Sequence, residues 1–198
     1  MLTNLLDLFQ RGGYVMYPIL LCSIFSIAIA VERLLYYRSC STQDGFLQGL
    51  KDLLGHGRYE EALSLSTQTK GDCADIAAFY LKDPGKKMDE VETRAGMMMD
   101  AYDENLIFLN VIVTISPLLG LLGTIVGIIN AFKVFDLRAS QPFAITAGIG
   151  EALIATAFGL IVAILALVLY AIMKYVSNHL TKNIVSCCAL LEAANPGR

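Results

Sequence analysis

The sequence predicts an all-α integral membrane protein with three transmembrane helices, the second and third long enough to extend past the bilayer into a cytoplasmic helical stalk. Three observations carry this. Hydrophobic residues make up 56% of the 198 positions and charged residues only 17%, with a mean hydropathy of +0.58, well above ordinary soluble domains. Three runs, Tyr14 to Val31, Leu106 to Phe132 and Phe143 to Met173, meet the roughly 20-residue requirement for crossing a bilayer. The third run holds one carboxylate, Glu151, and no positive charge. Such a group costs several kcal/mol unless it faces protein, water or a partner, so it marks an ion pathway by default.

Taken in order, residues 1–13 place Leu2, Leu5, Leu6, Leu8 and Phe9 at a period near that of a helix, with Asp7 and Arg11 between them. This predicts an amphipathic helix on the outer face of the membrane, broken by Gly12 and Gly13. Residues 14–38 form the first span. Pro18 falls in its first turns, where a missing N–H costs least, and Tyr14, Tyr17, Tyr36 and Tyr37 serve as interfacial anchors. Glu32, Arg33 and large residues follow it in place of a small-residue cleavage site, so it reads as a retained span. Residues 39–87 turn polar and predict a small cytoplasmic helical domain. Helical fragments lie around Gly45 to Leu54 and Arg58 to Thr69, parted by Gly55-His56-Gly57, and Asp83-Pro84-Gly85 marks a later turn. No stop signal separates Met88 from the second span, so 88–135 reads as one continuous helix. A short periplasmic loop over 136–142, a long third helix over 143–183 and a cytoplasmic tail over 184–198 complete the chain.

Lys and Arg set the orientation. Arg33, Arg38, Lys51, Lys86, Lys87 and Arg94 flank the central segment and Lys174 and Lys182 follow the last span, against Arg11, Lys133 and Arg138 on the other side. The N-terminus is therefore expected outside and the C-terminus in the cytoplasm. A net charge of −3 argues against a nucleic-acid surface. Five cysteines without a C-x-x-C pair point to idle thiols, not a metal site, and nothing calls for a cofactor. His56 and His179 lie outside the membrane core and no G-x-S-x-G or H-E-x-x-H string occurs, which argues against an intramembrane hydrolase.

Two motifs stand out. In the second span Ser116, Gly120, Gly123, Thr124, Gly127 and Ala131 recur at spacings of three and four, with a G-x-x-x-G at Gly123 to Gly127. Small residues on one face let another backbone approach closely, and Pro117 is expected to bend the helix and free a carbonyl. The third span repeats the device with Gly148, Ala152, Thr156, Gly159, Ala163 and Ala166. Glu151 lies beside this stripe and about one turn from Thr156. Thr124, Thr156 and Glu151 are therefore expected to line a narrow lumen, whose hydroxyls can carry a water-mediated proton path. The plainer alternatives are simple helix packing for the stripes and a neutral, hydrogen-bonded structural glutamate.

At these residues the chain resembles the MotA/TolQ/ExbB proton-channel family. The resemblance rests on Ser116 to Gly127, on Gly148 to Leu160, and more weakly on Glu32-Arg33-Leu34. Three spans resemble the ExbB/TolQ branch more than the flagellar MotA branch, which has four. The resemblance implies a homo-oligomeric ring, a pentamer in this family, in the bacterial inner membrane, enclosing an ExbD/TolR-like single-span partner and driving a TonB- or TolA-type protein. Matched motif to motif, Thr124 and Thr156 correspond to pore-lining threonines and Glu151 to the membrane glutamate. One departure is that Val162-Ala163-Ile164 is followed by Leu165 where the family often has proline. A passive membrane scaffold, a flagellar or gliding-type stator and a substrate carrier are the competing readings, with Glu151 arguing against the scaffold.

Overall fold

The computed structural model describes residues 9, 12–83, 86–137 and 142–194, with the backbone alone at 134–137 and 142–147. Within them lie α1 (Met16–Cys40), α2 (Phe46–Gly55), α3 (Tyr59–Gln68), α4 (Asp72–Leu81), α5 (Met88–Asp103), α6 (Leu106–Leu137) and α7 (Pro142–Ala193), and no strand among the described residues. Three stretches, Met16–Cys40, Met88–Lys133 and Gly148–Ala193, are long and apolar enough to cross a membrane. The chain is an all-helical, multi-pass membrane protein. The amphipathic helix expected over 1–13 and residues 138–141 of the expected loop lie outside the described residues, Phe9, Gly12 and Gly13 excepted.

Two expectations change. The helix predicted over 88–135 carries a two-residue turn at Glu104 and Asn105, although Glu104 keeps helical dihedrals and Met88–Lys133 remains one long stretch, and the third helix continues to Ala193, so most of the predicted tail is helical. The turn has a local cause. The Ala101 carbonyl accepts from Arg33 Nη1 at 2.9 Å and the Tyr102 carbonyl accepts from Tyr37 Oη at 2.8 Å. These carbonyls would otherwise take the next N–H groups of a continuing helix, so side chains of α1 cap the end of α5.

The described residues fall into two compact units. One comprises 12–30 and 106–171, in which the beginning of α1 packs with α6 and α7 through a small core of Val15, Ile19 and Val162, flanked by Cys22, Leu119 and Phe158. Ser26 is buried and satisfies its hydroxyl by donating to the Cys22 carbonyl at 2.8 Å.

The other unit comprises 31–105 and 172–194. At its centre is α4, buried at Cys73, Ala74, Ile76, Ala77 and Ala78. A short helix that is apolar nearly all round is a core element, and the sequence reading did not single it out because it lacks a one-sided stripe. Against it pack α3, which buries Ala62 and Ser66, and α5, which buries Val91, Ala95 and Tyr102; within the same unit α2 buries Phe46, Leu50 and Leu54 and the end of α7 buries Ile184, Cys187 and Leu191. The break predicted at Gly55-His56-Gly57 separates α2 from α3, and Gly57 adopts φ +69°, a left-handed conformation that glycine reaches without penalty.

Polar ties fix this unit. Tyr102 Oη donates to Asp72 Oδ2 at 2.6 Å, Cys73 N to Thr42 Oγ1 at 3.2 Å, and Cys187 Sγ to the Cys73 carbonyl at 3.4 Å. Asp103 accepts from Lys174 Nζ at 2.5 Å and from Ser177 Oγ at 2.7 Å. Arg33 is 4% exposed and grips Glu32 through two bonds of 2.7 Å, while Asn105 Nδ2 reaches Glu32 at 3.1 Å. All five cysteines are free. Burial pushes the Cys73 thiol up to about 11, so it stays protonated and unreactive near neutral pH.

Tyr37→Phe removes only the hydroxyl that caps Tyr102 and should cost ~1 kcal/mol of stability, whereas Arg33→Leu strips the Ala101 cap and the Glu32 partner together and should cost ~2 kcal/mol. Thermal melting of the purified protein in mild detergent checks both. In the same preparation Cys73 should resist maleimide at neutral pH and react once the protein is unfolded.

Candidate functional site in the membrane helices

The seam between α6 and α7 is built where side chains are missing. A Cβ placed on Gly159 would lie 2.7 Å from the Ser116 carbonyl oxygen and 2.9 Å from the Gly120 Cα. One on Gly120 would lie 3.1 Å from the Thr156 Cα, one on Gly123 2.5 Å from the Ala155 Cβ, and one on Gly127 2.9 Å from the Ala152 Cβ. Gly148 meets Ala131 in the same way, at 2.7 Å. Ala152, Ala155, Ala163 and Ala166 are buried on the α7 side. The two small-residue stripes are therefore spent on each other inside one chain, which is the close-approach geometry such stripes permit.

This contact aims the hydroxyls. Thr156 Oγ1 donates across the seam to the Gly120 carbonyl at 3.0 Å, and Thr124 Oγ1 donates within its own helix to Leu121 at 2.6 Å. Both side chains keep partial exposure. On α6, Thr124 shares an arc of about 80° with Asn110 and Thr114 by helical spacing, and the latter two are exposed. Leu119 and Gly123 lie on the other side, toward α1: Leu119 joins the Val15 and Ile19 core, and a Cβ on Gly123 would lie 3.7 Å from Val15.

Glu151 is on the α1 side as well. Its Oε1 lies 2.0 Å from where a Gly13 Cβ would be. Thr156 follows it by five residues, which on an α-helix is a rotation of about 140°. Within the single chain Thr156 bonds across the seam to Gly120 and Glu151 lies beside Gly13, so the threonine and the carboxylate fall on different flanks of α7. The sequence signal was present in that five-residue spacing, which is 1.4 turns and not one.

Pro117 sits inside α6, which runs on past it to Leu137. Beside it the Ser116 hydroxyl is fully buried and has no hydrogen-bond partner among the described residues, unlike Ser26. Among the described residues no group of three or more His, Cys, Asp or Glu side chains is placed to hold a metal ion.

The chain is thus a multi-pass helical protein with two glycine-paired spans and a carboxylate in the third. The MotA/TolQ/ExbB proton channel family matches the chain over residues 74–185, and the protein belongs to that family. An ExbB-like biopolymer transport protein of Synechocystis is 31% identical over 181 residues, 86% of this chain and 70% of that protein. The biopolymer transport protein ExbB of Salmonella typhimurium is 47% identical over a shorter stretch of 66 residues, 33% of this chain and 27% of its own. The Tol-Pal system protein TolQ of Haemophilus influenzae is 38% identical over 73 residues, 36% of this chain and 32% of its own. These matches support the ExbB/TolQ branch, which is associated with transport and is not an enzyme family.

Gly159→Ala should separate α6 from α7 and lower the melting temperature, since the atoms it meets are backbone and cannot swing aside. Gly150→Ala, which meets nothing within 4 Å, should be neutral or gain up to ~1 kcal/mol from helix propensity. Ser116→Ala deletes an unpartnered hydroxyl and should leave the melting temperature unchanged or higher.

Proposed function

We propose that the protein is the ring subunit of an ExbB/TolQ-like energy transducer driven by the proton-motive force. Identical chains, five in this family, surround the membrane helices of an ExbD/TolR-like single-span partner, and the assembly powers a TonB- or TolA-type protein for outer-membrane transport or envelope maintenance. It resides in the bacterial inner membrane with the N-terminus periplasmic and the C-terminus cytoplasmic, in keeping with the distribution of Lys and Arg.

The observation that carries this reading is the Thr156 to Gly120 hydrogen bond at 3.0 Å, which pins a hydroxyl of the third span beside the α6 flank bearing Thr124. Large side chains around it, Ile149, Leu153 and Leu160, are 45%, 64% and 49% exposed in the single chain. That flank is free to face an ion path or partner helix. A threonine that donates to a carbonyl still offers oxygen lone pairs to water or a hydrated proton. Glu151, on the flank of α7 that faces α1 and still partly exposed, supplies the chain's own membrane acid.

The driving force is adequate. A membrane potential of ~180 mV gives about 4 kcal/mol per elementary charge, enough to bias movement between nearly equivalent packings if protonation changes their relative stability.

Thr156→Val and Glu151→Ala should each abolish proton-driven work while the ring still assembles. The check is proton uptake by proteoliposomes containing the chain with its single-span partner, paired with a mass measurement of the solubilised complex. Full proton-driven activity in both variants refutes the assignment, and a stable monomer in mild detergent with the partner present refutes the ring.

A further inference from the structure

Gly12 and Gly13 read in the sequence only as a helix break, yet the structure gives them a second task. Gly13 has φ +71°, and a Cβ on it would lie 2.0 Å from Glu151 Oε1 and 3.0 Å from the Glu151 carboxyl carbon. The carboxylate occupies the space a side chain at 13 would need. A Cβ on Gly12 would lie 3.2 Å from Ile154 Cγ2, and Ile154, three residues from Glu151, shares its face of α7. The next residues anchor the turn. Val15 and Ile19 pack on Val162 of α7, and the Met16 N–H bonds the Gly13 carbonyl at 3.2 Å.

We infer that Gly13 is a positioning residue for Glu151: its left-handed backbone and missing side chain let the opening turn of α1 clasp the carboxylate and set how far it reaches. The contact stands on its own geometry, while its consequence for ion coupling rests on the function proposed above. A side chain at 13 would push the carboxylate away from α1 and change its surroundings, whereas shortening the acid by one methylene would relieve the clash.

The experiment is a double-mutant cycle on the full chain with its membrane partner, comparing Gly13→Ala, Glu151→Ala, the pair, and Gly13→Ala with Glu151→Asp. Melting temperature is one readout. The other is the infrared carboxyl band of Glu151, identified as the band lost in Glu151→Gln. Gly13→Ala should shift that band, and its melting loss should be about twofold or more larger with Glu151 present than in the Glu151→Ala background, where only backbone strain remains. Adding Glu151→Asp should recover part of the loss. Equal losses in both backgrounds with an unmoved band overturn the inference. Should Gly13→Ala fail to assemble, its recovery by Glu151→Asp supports the clasp and failure of that recovery overturns it. Driven proton uptake retained in Glu151→Gln would instead sink the functional reading and leave the cycle intact.

Discussion

The structure of the membrane unit depends on backbone meeting backbone between α6 and α7. Gly159 sits so near the Ser116 carbonyl and the Gly120 Cα that a methyl group would come within 2.9 Å of both. In lipid, apolar side chains gain little by leaving their surroundings, so helices associate through close packing and cross-helix hydrogen bonds. The seam provides both, since the approach at Gly120 is also what brings Thr156 within bonding distance of its carbonyl. Fixing the seam fixes the rotation of each helix about its axis. That rotation decides which flank carries hydroxyls and which carries the acid.

Much of this was legible in the sequence. Three apolar runs without a positive charge, two stripes of Gly, Ala, Ser and Thr at spacings of three and four, and one isolated carboxylate suffice to give the spans, the packing faces and the class of function. What the stripes could not say is whether they serve one chain or several. They are satisfied here by each other. Glu151 and Thr156 fall on different flanks of α7 because five residues carry a side chain well around the helix.

Outside the membrane unit, the features the sequence hid are those made by distant partners. Nothing local in Met88 to Asn105 signals a stop, since the side chains that cap Ala101 and Tyr102 come from Arg33 and Tyr37, 68 and 65 residues earlier. The helix α4 escaped notice because burial on nearly all sides erases the periodicity that reveals a surface helix. The extension of α7 to Ala193 follows the same logic, with Ile184, Cys187 and Leu191 gaining burial that composition alone does not announce. Arg33 also gives Glu32-Arg33-Leu34, the weakest part of the resemblance, a physical role as the cap of α5.

The central claim is that the seam turns the Thr124 flank of α6 toward water and buries 116, 120, 123 and 127 in protein. Water access along α6 tests this most directly: single cysteines introduced between 107 and 129 into a chain whose five native cysteines are replaced, probed in membranes with a charged thiol reagent. Labelling that recurs with helical period at 110, 114, 121, 124 and 128 and spares 116, 120, 123 and 127 is the predicted result. Labelling confined to the α1 side, or absent at 124, would contradict it.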